Sequence, residues 1–132
     1  MVIAKYLVDT DWAVYYLRGK EPYVSNLSRF QAEGVAISIV SVAELYEGVF
    51  RRVDRQAKEE GLERFLAGLE LADISRGVAR TFGRLRAELR KQGMTVADFD
   101  LLIASTAVYY GLSLLTDNRR HYEKVPELKL VE

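Results

Sequence analysis

Short apolar runs alternate with helical segments from one end of this chain to the other, and few folds accommodate that order. The runs Met1–Val8, "VAISIV" (35–40), "LELADIS" (69–75) and "LSLLT" (112–116) carry Val, Ile, Leu and Tyr and are too short for helices. A fifth, "LKLVE" (128–132), closes the chain. Between them lie helical stretches at Trp12–Leu17, Ser25–Ala32, from Ser41 on through the charge-dense 51–68 region, Gly77–Lys91, and the apolar "DFDLLIASTAVYYG" (98–111). Parallel strands need crossover connections, and helices supply them while covering the sheet. The alternation therefore predicts an α/β chain, with helices on both faces of a largely parallel sheet. One such core fills 132 residues, so a single domain over 1–132 is expected.

What is missing narrows the chemistry. There is no cysteine, which excludes disulfides, thiolate nucleophiles and Cys-bound zinc. The single histidine, His121, excludes a polyhistidine metal site within one chain and reads as a surface or packing residue. Lys+Arg and Asp+Glu balance at 19 each, so no bulk positive field attracts nucleic acid, and any such contact must come from local patches. No apolar run reaches membrane-spanning length and no secretory leader pattern is visible, so a cytoplasmic protein without a membrane is expected. A metal would have to be held by carboxylates, which points to Mg²⁺ or Mn²⁺.

Carboxylates stand where a parallel α/β sheet binds ligands, outside the carboxyl ends of its strands. Asp9 follows the first run in "YLVDTD", with Thr10 and Asp11 as further candidates for the helix N-cap. Glu44 follows the second; with Ser41 it forms the spacing of a capping box, which would need no chemistry. Asp98 and Asp100 precede "LLIA", turned about 200° apart on a helix; Asp98 suits the N-cap and Asp100 the first turn. Asp117 follows the fourth run in "LLTDN", where Asp-Asn also suits a plain turn. Each acid has a structural explanation of its own. Gathered at one sheet edge they would repel one another, and a divalent cation relieves that repulsion while activating water for phosphoryl chemistry.

The ordered strings "YLVDTD", "SIVSVAELYEG", "GMTVADFDLLIASTA" and "GLSLLTDNRRHYEKVPELKLVE" resemble the PIN-domain ribonucleases, and among them the VapC toxins of toxin–antitoxin pairs. The resemblance runs from Leu7 to Val131. It implies a three-layer α/β/α fold with a central parallel sheet of about five strands. It implies a Mg²⁺- or Mn²⁺-dependent endoribonuclease acting on RNA such as tRNA or rRNA, a VapB-type antitoxin partner and a homodimer. Asp9, Glu44 and Asp100 match the first three acids of such enzymes, with Asp9 and Asp100 as metal ligands. The fourth position falls on Thr116-Asp117-Asn118, where Asn118 occupies the matching slot and Asp117 is the only carboxylate; Asp117 is taken as the fourth acid. Thr10, Asp11, Ser41 and Asp98 stand as supporting candidates.

An RNA substrate asks for cations and stacking surfaces. Arg119 and Arg120 flank the Thr116–Asn118 segment and are read as phosphate contacts. Arg76, Arg80 and Arg84 recur every fourth residue, with Arg86 and Arg90 beside them, and read as a solvated helix face with Glu88 as an ion-pair partner of Arg84. Tyr15, Tyr16, Tyr109 and Tyr110 read as core or dimer-interface residues rather than stacking platforms. Two rivals remain open at this stage. Asp9-x-Asp11 has the spacing of a haloacid-dehalogenase-type phosphatase, although Ala13 stands where that motif wants Thr or Val. A receiver-like regulatory module without catalysis would also carry acids at strand ends.

Overall fold

The computed structural model describes residues 2–131; Met1 and Glu132, part of the first and last apolar runs, lie outside them. Strands β1 (Tyr6–Val8), β2 (Val35–Ser38), β3 (Glu70–Ala72), β4 (Ser113–Leu115) and β5 (Lys129–Leu130) form one sheet in the order β3-β2-β1-β4-β5. Every pairing is parallel, with Tyr6, Leu7 and Val8 facing Val35, Ala36 and Ile37 on one side and Ser113, Leu114 and Leu115 on the other. Helices α1 (Thr10–Leu17), α2 (Tyr23–Phe30), α3 (Ile39–Phe50) and α4 (Arg55–Ala67) make the first two crossovers. Helices α5 (Arg76–Lys91) and α6 (Asp98–Tyr110) make the third, and the short α7 (Arg119–Tyr122) leads to β5. The five-stranded three-layer architecture expected from the sequence is the one found.

Each strand divides its side chains between two cores. Val8, Ile37 and Leu115 pack beneath α1–α4 with Ala13, Leu27, Leu45, Leu62 and Phe65. Leu7, Ala36 and Leu114 pack on the opposite face with Leu85, Leu89, Leu101, Ile103, Ala104 and Tyr122. The two faces follow from strand order. The chain steps outward from β1 to β2 and β3, then returns to place β4 on the other flank of β1. With right-handed crossovers throughout, that reversal puts α5 and α6 on the opposite side from α1–α4. It also leaves a crevice between the ends of β1 and β4, where the connections diverge.

Several boundaries differ from the sequence expectation. The first strand is shorter than Met1–Val8 because residues 3–4 run past the end of β2: Ile3 is exposed, and the Ile3 and Ala4 N–H groups donate to the Glu70 carboxylate. Gly34 has φ 95° and lies against Ala4, whose Cα would be 3.0 Å from any added Cβ. The second strand stops at Ser38, whose hydroxyl accepts from Val40 N–H at 3.0 Å and caps α3. Ser41 and Glu44 are thus already inside the helix, and the capping box expected of them does not form. Asp98 is the first residue of α6 rather than its cap; Ala97 holds that position, and Asp98 pairs with Arg86 at 2.9 Å. Arg84 pairs with Glu127 instead of Glu88, which accepts from Gln92.

Leu114 is fully buried on a three-residue strand beside β1, so its loss leaves a void that neighbouring strands cannot close. Leu114→Ala is expected to destabilise the fold by about 2–5 kcal/mol, read as a lowered urea midpoint with an unchanged m-value.

Candidate active site

Asp9 ends β1 and caps α1, accepting from Thr10 N–H at 2.8 Å. It is therefore the cap that the sequence left open among Asp9, Thr10 and Asp11. Its other oxygen accepts from the Thr116 hydroxyl at 2.7 Å, across the crevice from the end of β4. Tyr122 on α7 brings its hydroxyl to 3.3 Å from Asp9 and 3.4 Å from Asp100. Asp100 stands in the first turn of α6 as expected, and His121 Nδ1 lies 3.3 Å from it.

Glu44 sits well inside α3, not at its start, yet it reaches the same site. Helical side chains lean toward the N-terminus, and here that direction is the carboxyl edge of the sheet. The Thr10 hydroxyl lies 2.7 Å from Glu44 and 2.8 Å from the buried Ser41 hydroxyl. Its single proton goes to the carboxylate, so it accepts from Ser41. This chain of hydroxyls explains the residues that the capping box would have used. Asp11 accepts from Trp12 N–H at 2.6 Å and from Asp117 N–H at 3.1 Å, pinning the segment after β4 to α1.

Asp9, Asp11, Glu44, Asp100, Asp117 and Asn118 line one open cleft of about 400 Å³, together with Thr10 and Tyr15. Asp117 and Asn118 both reach it. The Asp117 carboxylate is drawn toward α1 and α2, accepting from Trp12 Nε1 at 3.2 Å and from the Tyr23 hydroxyl. Asn118 N–H donates to the Thr116 hydroxyl at 2.9 Å. Arg119 and Arg120 were expected to line the rim; Arg119 instead reaches the Val131 carbonyl at 2.6 Å, tying α7 to the end of β5, while Arg120 is solvent-exposed. The sequence reading missed Tyr122, His121, Trp12, Tyr23 and Tyr15 as site residues. The spacing of Tyr122 and Val125 marks an inward-facing pair, but nothing local tells where a tyrosine hydroxyl will end.

The electrostatics are those of crowded acids. Asp9 is 5% exposed, and burial, with the neighbouring Asp11 and Asp100 charges adding to it, raises its pKa to about 6 against the lowering effect of its hydrogen bonds to Thr116 and Thr10. Burial likewise raises Asp11. Tyr122 is raised by burial and by the Asp9 and Asp100 charges, so its phenol stays protonated and donates. Among the described residues, no three acids or histidines already converge at metal-binding distances, because the carboxylates turn to their hydroxyl and amide partners. The donor set nevertheless suits a hard divalent cation: all-oxygen, anionic, lining a single cleft, with one member disfavoured as a bare anion.

Comparison with known proteins agrees with this fold. The PIN domain family matches residues 6–128. The chain is 33% identical to Ribonuclease VapC2 of Rickettsia felis over 127 residues, covering 95% of each chain. It is 26% identical to the tRNA(fMet)-specific endonuclease VapC of Salmonella typhimurium, covering 96% of each. In structure it is similar to the VapBC2 complex of Rickettsia felis bound to a DNA fragment from its promoter, with TM-score 0.89, 32% identity and 96% of each chain covered.

A raised carboxylate pKa means that the folded chain holds a proton the unfolded chain has released. In EDTA, stability contributed by Asp9 is therefore full below about pH 4 and falls as pH rises toward about 6, by about 3 kcal/mol in all. Asp9→Asn is expected to flatten that decline and to exceed the wild type in stability at pH 7.5, measured by urea midpoints from pH 4 to 8.

Proposed function

The chain belongs to the PIN-domain family, and from that premise we propose that it is a metal-dependent endoribonuclease, the toxin of a VapBC-type toxin–antitoxin pair. The observation that carries this reading is the shared cleft: Asp9, Glu44 and Asp100, from three separate elements, line one cavity at the crevice between β1 and β4. The family likeness extends over nearly the whole chain, and the relatives above are named as ribonucleases. A VapB-type antitoxin is the protein partner, in keeping with the VapBC complex to which this chain is similar. We read the protein as cytoplasmic and homodimeric; among the described residues no helix is long and apolar enough to cross a membrane.

Asp9 and Asp100 hold Mg²⁺ or Mn²⁺ in this reading. A cation held there would supply Lewis-acid stabilisation of the phosphate oxygens and activation of water. The chain's own residues do the rest. The Thr116 hydroxyl fixes the orientation of Asp9, and the Tyr122 hydroxyl stands between Asp9 and Asp100 with its single proton shared between the two carboxylates. Thr10 directs Glu44 into the cleft. Glu44 and Asp117 complete the negative pocket, position the attacking water and take up its proton. The water oxygen bonds to phosphorus as the bond to one ribose oxygen breaks, and that oxygen leaves with the bonding pair and takes a proton from solvent to become a hydroxyl. Asn118 offers an amide at the same wall.

The phosphatase alternative requires Asp9 as a nucleophile with a lone pair open to the cleft. The match to the PIN domain family over residues 6–128 and the gathering of Asp9 with Glu44 and Asp100 in one cleft favour a metal ligand over a nucleophile.

Purified protein free of antitoxin is expected to cut single-stranded or loop RNA, with tRNA(fMet) as the first substrate to assay, in Mn²⁺ or Mg²⁺ and not in EDTA. Asp9→Asn and Asp100→Asn should each lose about 100-fold or more of that activity. Full cleavage by either variant, or a trapped aspartyl-phosphate on Asp9, would overturn the assignment. Mn²⁺ is also expected to raise the melting temperature of the wild type at pH 7.5, and to raise that of the two variants far less.

A further inference from the structure

One wall of the cleft is neither acidic nor explained by holding an ion. Tyr15 lies one helical turn after Asp11 on the same face of α1 and is half-buried at the cleft. The Tyr23 ring packs against it at 4.6 Å between centroids, tilted by 34°. Tyr23 is itself fixed, its hydroxyl donating to Asp117 and its ring meeting the edge of Trp12 at 5.4 Å. Lys20, which is solvent-exposed, brings Nζ to 4.5 Å from the Tyr15 centroid and 5.8 Å from that of Tyr23. The Lys20 ammonium thus lies closer to Tyr15 than to Tyr23, at the edge of the cleft that Tyr15 lines.

We propose that Tyr15, backed by Tyr23 and flanked by Lys20, is a subsite that stacks one unpaired nucleobase beside the cleaved phosphodiester, with Lys20 contacting a neighbouring phosphate. The proposal rests on the ribonuclease reading and deepens it. A flat π-face next to a charge cluster suits a splayed base, because every base can stack and none need be hydrogen-bonded. Acids on the other walls repel any phosphate away from the metal position, so stacking and a cation at the edge add affinity there. Arg119, directed to the end of β5, leaves Lys20 as a cation placed next to this wall. The anchoring of Tyr23 by Asp117 also gives that acid a second task, linking the stacking wall to the segment after β4.

The test separates this subsite from the cleavage reaction. A short single-stranded RNA carrying 2-aminopurine is titrated with protein in Mn²⁺ on an Asp100→Asn background, which suppresses turnover. Kinetics on cleavable RNA run in parallel with the native Asp100. Tyr15→Leu is expected to weaken binding by about 10-fold or more and to abolish 2-aminopurine quenching, while Tyr15→Phe keeps both. In the kinetic arm Tyr15→Leu should raise KM more than it lowers kcat. Lys20→Gln should reduce the slope of log Kd against log salt by about 0.7, one phosphate contact on a single strand. Unchanged melting temperatures confirm that each variant folds. If Tyr15→Leu quenches and binds like its parent while RNA is still cut, the subsite is overturned and the ribonuclease stands. If Tyr15→Leu weakens only the binding of a VapB-type antitoxin, the wall belongs to the protein partner and the proposal is equally overturned. Failure of the wild type to cut RNA in any metal overturns the ribonuclease reading instead, and the quenching arm still decides whether Tyr15 meets a base.

Discussion

A single buried carboxylate organises this molecule. Asp9 ends the central strand, caps the first helix and meets hydroxyls from two distant parts of the chain, Thr116 after β4 and Tyr122 on α7. These contacts hold three connections at one point. They also place a charge where water is largely excluded, so the folded protein resists ionising it. Burial and charge conflict at this residue, and in the proposed reading a divalent cation would reconcile them. Sites built for chemistry often carry such local cost to stability.

The rest of the cleft follows from topology. Because the strand order reverses beside β1, segments far apart in sequence emerge at the same edge of the sheet. Asp9 and Thr116 are brought together by the pairing of β1 with β4, and Asp100 by the packing of α6 behind them. Glu44 arrives by a different route, its side chain leaning back along α3 toward Thr10. No one element builds the site. Hydroxyls and amides do the aligning, so much of the acidic cluster is held by neutral donors rather than by cations.

Polar side chains inside the cores obey the same economy. Ser105 and Thr106, buried in α6, return their hydroxyls to the Leu101 and Leu102 carbonyls four residues earlier. Among the described residues no buried side-chain nitrogen or oxygen lacks a partner. α6 can therefore be buried on most sides while presenting Asp100 at its first turn, where the helix dipole favours a negative charge.

The sequence by itself determined the alternation of strands and helices, the parallel sheet and the acids at its carboxyl edge, because apolar periodicity and residue chemistry are local properties. It also determined Asp9, Glu44 and Asp100 as candidates, the first two by their positions after apolar runs, Asp100 by its place at the start of an apolar helix, and all three by their resemblance to one family. Only the tertiary structure decided what each polar residue does. Ser41 and Glu44 have capping-box spacing, yet Ser38 takes the cap and they turn to Thr10. Asp98 looks like an N-cap and pairs with Arg86; Arg119 looks like a phosphate contact and ties down β5. Tyr122 and Tyr15 entered the site with no local signal. A hydrogen bond is specified by which donor and acceptor meet, and that meeting is settled by strand order and packing across as many as 113 positions of sequence, which no short window of residues encodes.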